Sequence, residues 1–277
     1  MSIAGGMPEA VKRARAVDAA ALQVFVKSSN QWAARAFADG EVESFRAAIR
    51  DSELARHTMA HASYLINLAS PDDALWEKSV AALRVELDRC GVLGIPWLVV
   101  HPGAHMGAGV DAGIARVVAA LKRVLRGSTR GGAGILLENT AGQGTTLGTH
   151  FADLGEILRG ADDAAHLGVC FDTCHALAAG HEFRTASSYA ALIADIDRAV
   201  GLDLVRAFHL NDSKGDLGSK RDRHEHIGKG KVGLDGFRSI LADPRFRDIP
   251  MVLETEKGDD LAEDRVNLAA LRSIAPR

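Results

Sequence analysis

The chain contains six short apolar runs that each end, or nearly end, on a side chain able to bind a metal ion. These side chains are His61, His101, Glu138, Asp172, His209 and Glu254, at intervals of 40, 37, 34, 37 and 45 residues. Such intervals are close to the length of one strand-helix repeat. Parallel strands that close into a barrel bring all their C-terminal ends to one face. The pattern therefore predicts that the six side chains converge in the site of a metal-dependent enzyme.

Seven segments have the composition of strands, and helical patterns lie between them. The segments are LQVFV (22–26), TMAHA (58–62), WLVVH (97–101), ILLEN (135–139), GVCFD (168–172), LVRAFHL (204–210) and MVLET (251–255). Several show little polar alternation, as expected of strands that are buried on both faces. One helical pattern, over residues 79–94, ends on a glycine. This alternation predicts an α/β fold with a parallel sheet of repeated βα units.

The start of the chain departs from an eight-stranded barrel. A Gly-Gly turn is followed by an apparent helix over residues 8–19, where such a barrel would begin with a strand. Either the first strand is missing from this chain, or the barrel is built differently, with two unpaired edges. Because no linker divides the sequence, we expect residues 1–277 to form one catalytic barrel domain that lacks its N-terminal strand.

Composition and cysteine content narrow the class of protein. The sequence has 47% hydrophobic residues, a formal net charge of -3, no N-terminal apolar run and no stretch long enough to span a membrane. We therefore expect a soluble, cytoplasmic protein with no membrane partner. Cys90, Cys170 and Cys174 do not make a disulfide framework, and we expect them to be small buried side chains.

A basic stretch follows the sixth ligand along the chain. It contains Lys214, Lys220, Arg221, Arg223, Lys229 and Lys231. A cluster of this kind can contact a sugar-phosphate backbone, although a solvated loop would be the default interpretation if it stood alone. Asp222 and His224 lie inside it with the i,i+2 spacing that puts two side chains on one side of an extended backbone. Together with His175 they could chelate one ion.

The nine candidate ligands have a consistent chemistry. Imidazoles and carboxylates without cysteine suit zinc or manganese in a hydrolytic site. With neutral imidazoles, the four carboxylates give a charge of about -4, and three divalent ions would change this to about +2. Metal loading would thus convert a site that repels phosphate into one that attracts it.

Several segments of the sequence resemble endonuclease IV, the apurinic/apyrimidinic endonuclease family of base-excision repair. They are HASYLINLA (61–69), HPGAH (101–105), ENTAGQGTTLG (138–148), GVCFDTCHALAAG (168–180), FHLNDSKGDLGSKRDRHEHIGKG (208–230) and LET (253–255). The resemblance extends from about residue 2 to the last helix. It implies a TIM-type (β/α)8 barrel that holds three zinc ions, with manganese as an alternative at one or more sites.

The resemblance also implies a role for each ligand. His61 and His101 would bind the first ion, and Glu138 would bridge it to the second. Asp172, His209 and Glu254 would complete the second site, and His175, Asp222 and His224 would hold the third. Glu138 and Glu254 are also the expected catalytic residues, Glu254 by orienting or deprotonating the attacking water. The implied activity is cleavage 5′ to abasic sites in duplex DNA, which leaves a 3′-hydroxyl, and trimming of blocked 3′ ends.

Residues outside the metal site are expected to contact DNA. Tyr64 and Leu65 resemble the residues with which the family wedges into the minor groove, and an aromatic-aliphatic pair suits unstacking of bases. The alternative is that these two residues begin a packing layer. Gln31 and Trp32 match a family loop, although Asn30 stands where some relatives have an arginine. Lys214 and Arg223 are the expected phosphate contacts.

Two other classes of function compete with this interpretation. Related barrels include metal-dependent sugar isomerases and epimerases, which need one or two ions and a small closed pocket. A catalytically impaired DNA-binding relative is the second alternative. We further expect a monomer whose native product starts about ten residues earlier, or a form of lower stability that pairs through its open edge.

Overall fold

A computed structural model describes residues 1–128 and 131–276 of the chain. The strands in this part of the chain are β1 Leu22–Phe25, β2 Thr58–His61, β3 Trp97–Val100, β4 Gly134–Glu138, β5 Leu167–Asp172, β6 Val205–His209, β7 Asp212–Ser213, β8 His224–Glu225 and β9 Met251–Val252. The seven segments expected to be strands from the sequence are thus confirmed, and six of them end earlier than expected. The expected domain also takes in residues 129, 130 and 277, which lie outside the described residues.

Helices follow most of the strands. They are α1 Met7–Ala16, α2 Glu41–Arg50, α3 Asp73–Leu93, α4 Val110–Gly127, α5 Phe151–Ala161, α6 Thr173–Ala179, α7 Ala186–Ala199, α8 Gly233–Ala242 and α9 Ala262–Ile274. Short 3₁₀ turns span Glu53–Arg56, Leu202–Leu204 and Pro244–Phe246. No helix among the described residues is long and apolar enough to cross a membrane.

The main sheet has seven parallel strands in the order β1-β2-β3-β4-β5-β6-β9. Consecutive βα units place each new strand beside the previous one, and helices surround the sheet, so the prediction of a TIM-type barrel is confirmed. Within the described residues β1 and β9 are not paired with each other. A cavity of about 140 Å³ lies between these two edges, and the amino group of Met1 donates a hydrogen bond there to the Gln23 carbonyl.

The interior of the barrel is built in layers. An apolar cluster fills the lower part and consists of Met59, Val99, Leu136, Cys170, Ala207 and Val252. Alternate residues of a strand point to the same face. The residue two positions further along each of these strand segments therefore points into the same interior, one layer higher. In every case that residue is one of the six strand-end ligands predicted from the sequence.

Helix α3 shows how local sequence signals position an element. The carboxylate of Asp72 accepts a hydrogen bond from the Leu75 amide and caps the first turn. At the other end Gly94 adopts φ 73°, a left-handed conformation that favours glycine. The expected termination on this glycine is confirmed, while the helix begins six residues earlier than the pattern at residue 79 indicates. Its residues Glu86 and Arg89 contact Lys27 and Val26 in the segment 26–40, which has no helix or strand.

Candidate metal centre

The carboxylate of Glu138 lies at the middle of the upper layer and is fully buried. Its Oε2 atom is 3.1 Å from Nε2 of His61 and 3.0 Å from Nε2 of His101. Its Oε1 atom is 2.8 Å from Nδ1 of His209 and 3.3 Å from Nδ1 of His175. The two oxygens therefore face different sets of imidazoles, as a bridging carboxylate requires.

Four groups of side chains among the described residues could each hold a metal ion, and the nine residues singled out in the sequence form three of them. The first consists of His61, His101 and Glu138, the second of Glu138, Asp172, His209 and Glu254, and the third of His175, Asp222 and His224. Within each group one ligand atom per residue lies within 4.8 Å of all the others. The structure thus brings together all nine residues singled out in the sequence, in the sets that the family resemblance implies, and their roles as ligands remain predictions.

The third group depends on a helix start and on a small hairpin. Asp172 ends β5, and its Oδ1 caps α6 by accepting a hydrogen bond from the His175 amide at 2.7 Å. This cap places the His175 ring over Glu138. Strands β7 and β8 pair antiparallel, and the residues just before and at the start of β8 carry Asp222 and His224 back over the barrel. Oδ1 of Asp222 is then 3.2 Å from Nε2 of His175 and 3.3 Å from Nε2 of His224.

Two nitrogen atoms of the candidate ligands lack a hydrogen bond that a metal ion could replace. Nε2 of His175 and Nε2 of His224 are buried, and although both lie close to Oδ1 of Asp222, neither makes a hydrogen bond of suitable geometry within the described residues. Buried polar nitrogen atoms without partners are unfavourable. Both atoms belong to the third group of candidate ligands, so an ion at that position would give each of them a partner. The all-nitrogen and oxygen donor set is also the one that zinc and manganese accept.

The charges of the candidate ligands offset one another. Burial disfavours the charged form of His175, but the charge of Asp172 and the close contact with Asp222 outweigh burial and raise its pKa well above the ordinary value. Burial likewise disfavours ionised Glu138, yet the charges of His209 and His101 lower its pKa well below the ordinary value. The pKa of Asp222 falls to about 2 because the contact with His175 outweighs its burial. The site thus stabilises positive charge at several adjacent positions.

The three cysteines are free and buried, as expected from the sequence. Cys174 also lies within reach of Asp172 and His224. Burial raises the pKa of Cys174 to about 12, as it does for Cys170, so both side chains are neutral thiols at neutral pH. A thiolate is the form that binds metal.

Gln23 is a polar member of the upper layer that the sequence patterns did not single out. Its Nε2 donates a hydrogen bond to Oε1 of Glu254 at 2.6 Å, so its Oε1 faces Nε2 of His209 at 2.8 Å. A carbonyl oxygen only accepts, and Nε2 of His209 must therefore carry the proton. Nδ1 of His209 is left to face Glu138 and Glu254. Ala21 packs against the apolar lower layer, so the residue two positions later is Gln23, and a glutamine in a strand otherwise rich in apolar residues is the signal that could have revealed it.

Tyr64 and Leu65 lie three and four residues after the end of β2, at the rim of the centre. The Tyr64 side chain is 61% exposed, although its ring packs edge-on against Phe25 with 5.5 Å between centroids. It also lies 5.5 Å from the His61 ring. Leu65 is half-buried. The exposure of Tyr64 disfavours the alternative in which this residue begins a packing layer.

Gln31 and Trp32 lie in the irregular segment that follows β1. Gln31 is exposed, and Trp32 is half-buried with Nζ of Lys78 4.4 Å above its ring. Lys214 and Arg223 are exposed and face each other across the small hairpin, where the Lys214 amide bonds to the Arg223 carbonyl at 2.9 Å. All of these residues lie on loops at the C-terminal end of the barrel. Their contacts with DNA remain predictions.

Comparisons with known proteins place the chain among enzymes of known type. A family model described as a xylose isomerase-like TIM barrel matches residues 11–274. A probable endonuclease 4 from Chloroflexus aurantiacus is 48% identical over 274 residues, which cover 99% of this chain and 96% of the relative. One from Geobacter sulfurreducens is 46% identical over 277 residues, which cover 100% and 93% of the two chains.

Solved structures separate fold from family. Endonuclease IV from Thermus thermophilus superimposes with a TM-score of 0.85 at 39% identity, over 99% of this chain and 96% of that one. A 3-keto-D-glucoside 4-epimerase from E. coli superimposes with a TM-score of 0.69 at 18% identity, over 97% and 94%. The second likeness shows a shared barrel and nothing more about chemistry.

Proposed function

The chain belongs to the endonuclease IV family and is a hydrolase of the deoxyribonuclease IV type, and we propose that it cleaves duplex DNA on the 5′ side of abasic sites with three bound zinc ions. The observation that carries this proposal is the position of Glu138. Its two carboxylate oxygens face separate groups of imidazoles, so two ions could share it. A third group of ligands lies beside them. A polynuclear centre of this kind suits hydrolysis of a phosphodiester.

The bound ions and the carboxylate of Glu254 would have different roles in the reaction. Divalent ions bound there supply Lewis-acid chemistry, which lowers the pKa of water towards about 7 and stabilises charge on a phosphate. In the second group the side chain of Glu254 is 17% exposed, whereas those of Asp172 and His209 are fully buried. Glu254 is therefore the member of that group that can reach a water molecule. We infer that its carboxylate orients or deprotonates the attacking water.

Recognition of the lesion falls to the loops around the centre. The exposed ring of Tyr64 stands beside His61 and is supported from below by Phe25. An aromatic wedge at this position would open the stack next to a missing base and bring the sugar-phosphate to the metals. Lys214 and Arg223 would hold the flanking phosphates.

The test is a cleavage assay on a duplex that carries one abasic analogue. We expect one cut on the 5′ side, a product that a DNA polymerase extends because its 3′ end is a hydroxyl, and slower removal of a 3′-phosphoglycolate from a nicked duplex. Metal analysis should give three zinc ions per chain. Chelation should abolish cleavage, and added zinc or manganese should restore it.

The same preparation should be tested for isomerisation and epimerisation of aldoses and ketoses. Sugar turnover without cleavage of the abasic duplex would reject the proposal in favour of the sugar-converting barrels. Lesion-specific binding without cleavage by the fully metal-loaded protein would instead indicate a catalytically impaired relative.

A further inference from the structure

A charged pair lies buried outside the candidate metal centre. Nζ of Lys27 is 3.2 Å from Oε1 of Glu86, and the two side chains are only 2% and 1% exposed. Lys27 lies two residues beyond the end of β1, and Glu86 comes from the middle of α3. Neither residue is a candidate ligand, and neither is accessible enough to contact a duplex.

The pair is bonded to both loops that are expected to meet the lesion. The Lys27 ammonium donates hydrogen bonds to the carbonyls of Ser28 and Gln31. On the other side, Oε2 of Glu86 accepts a hydrogen bond from the Ser63 amide at 3.0 Å. Ser63 immediately precedes Tyr64. One buried ion pair thus joins the backbone next to Trp32 to the backbone next to Tyr64.

A direct bond between the loops closes the network. The hydroxyl of Ser63 donates to the Ser29 carbonyl at 2.6 Å. Arg89, one helical turn after Glu86, adds a bond from Nε to the Val26 carbonyl at 2.7 Å and places its guanidinium 3.7 Å from the Phe37 ring centroid. Residues 26–40 have no helix or strand of their own. Their path is therefore fixed largely by side chains of this kind.

Stability alone is a poor explanation for such a pair. Removing two charges from water is costly, and well-packed apolar side chains often serve at least as well in the same space. Burial accordingly raises the pKa of Glu86 against the opposing charge of Lys27. What an apolar pair cannot supply is a set of directed hydrogen bonds to the carbonyls and amide of two loops.

We propose that Lys27 and Glu86 are positioning residues that hold the 28–32 loop and the Tyr64 loop in a fixed relation, and that this relation sets the preference for abasic over intact duplex. The inference rests on the proposed function, because it requires that the two loops meet DNA. It assigns to the pair no part in metal binding or in the chemical step.

The test uses the double variant Lys27→Met/Glu86→Leu, which fills the space without leaving a lone buried charge. The metal-loaded protein is titrated with intact duplex and with a duplex whose abasic analogue carries a phosphorothioate at the scissile bond, so that binding is measured without cleavage. We expect the ratio of the Kd for intact duplex to the Kd for abasic duplex to fall about tenfold, which corresponds to about 1.4 kcal/mol of lost discrimination. The metal content should not change, and the Tm should stay near that of the parent.

A second variant keeps the test decisive if the double variant is unstable. In a Tyr64→Ala background, the double substitution should change the Kd ratio much less than in the parent. The reason is that one of the two loops that the ion pair positions has already lost its side-chain contact with DNA. Tyr189→Phe is the matched control. It removes a buried hydrogen bond of 2.8 Å to Asp243 among the outer helices, and it should lower the Tm without changing the ratio.

The outcomes separate the two proposals. A parent protein that binds and cleaves intact duplex as well as abasic duplex would reject the proposed function. If the parent discriminates and the double variant discriminates equally well, only the positioning role of Lys27 and Glu86 is rejected. A fall in the ratio that Tyr189→Phe reproduces would likewise reject it, because loss of stability would then be sufficient.

Discussion

Two adjacent layers inside the barrel are built by the same strands from opposite kinds of side chain. The lower layer is wholly apolar, whereas the layer two residues further along each strand holds imidazoles and carboxylates. Backbone geometry is the same in both, since successive inward positions differ only by one step of the strand repeat. The lower layer contributes hydrophobic burial, while the upper one contains charges that offset each other. Stability and function are thus separated by one step along each strand.

Glu138→Gln should produce the largest effect and should act on function. Glu138 is the carboxylate shared by the first two groups, and an amide can neither bridge two ions nor offset the imidazoles around it. We expect cleavage of abasic duplex to fall about a thousandfold or more, which corresponds to several kcal/mol of transition-state stabilisation. Metal analysis of the same sample should show fewer than the full complement of ions. Near-normal cleavage would show that Glu138 is only a structural residue.

Leu136→Ala makes the reciprocal change two residues earlier on the same strand. Leu136 is fully buried in the apolar layer, so its truncation leaves a cavity. We expect a loss of about 2–5 kcal/mol in the free energy of unfolding. Denaturant unfolding measures this loss. The surviving folded protein should keep its metal content, and a variant that loses its metals while remaining stable would contradict the separation of the two layers.

Gln23→Ala should have a smaller effect, because Gln23 orients ligands and is not itself one. It holds the proton on Nε2 of His209 and bonds to Glu254. Loss of a group that orients metal ligands typically weakens metal affinity about 10–100-fold. Competition with a chromophoric chelator would measure the affinity for zinc. The exposed Gln31 offers a matched glutamine, and Gln31→Ala should bind zinc as the parent does.

The six strand-end ligands could be predicted from sequence because they carry two signals at once. Each stands at the end of an apolar run, where a charge is rare without a partner, and each recurs at the length of a βα unit. Gln23 shows only the first signal, a polar side chain in an apolar run. The signal is weaker here because an amide inside a strand is common outside functional sites. The layer to which it belongs becomes visible only when the strands are placed side by side.

The remaining parts of the site arise from contacts that are distant in sequence. Strands β7 and β8 are two residues long and lie in a polar stretch without alternation. Their pairing therefore could not be predicted from the sequence. In the sequence, Lys27 is a charged residue directly after a predicted strand, which indicates no special role. Its burial depends on Glu86, which is 59 positions away on α3. Asp172 is both a predicted ligand and a helix cap, and the strand-end pattern indicates only the first of these two roles.

The pH dependence of the metal-free protein gives the finest test of the contrast between the layers. The folded pKa of His175 lies well above its ordinary value of about 6.5, and that of His61 is also raised, because the hydrogen bond and charge of Glu138 outweigh burial. Groups with raised pKa values stabilise the fold fully below about pH 6.5, and this contribution is lost as the pH rises through the folded pKa.

Glu138 and Asp222 have lowered pKa values, so their contribution is present above about pH 4.5 and is lost as the pH falls through the folded values. Chelator-treated protein should therefore be most stable between about pH 4.5 and 6.5. Above that window its free energy of unfolding should fall by up to about 1.4 kcal/mol per pH unit for each imidazole that gives up its proton.

Metal-loaded protein should show the opposite slope, because ions bind deprotonated ligands and binding releases protons. Melting curves between pH 5 and 8.5 with and without chelator would measure both slopes. If the chelator-treated protein became more stable above pH 6.5, protons would not be replacing cations in the upper layer, and the contrast with the apolar layer beneath it would not be electrostatic in origin.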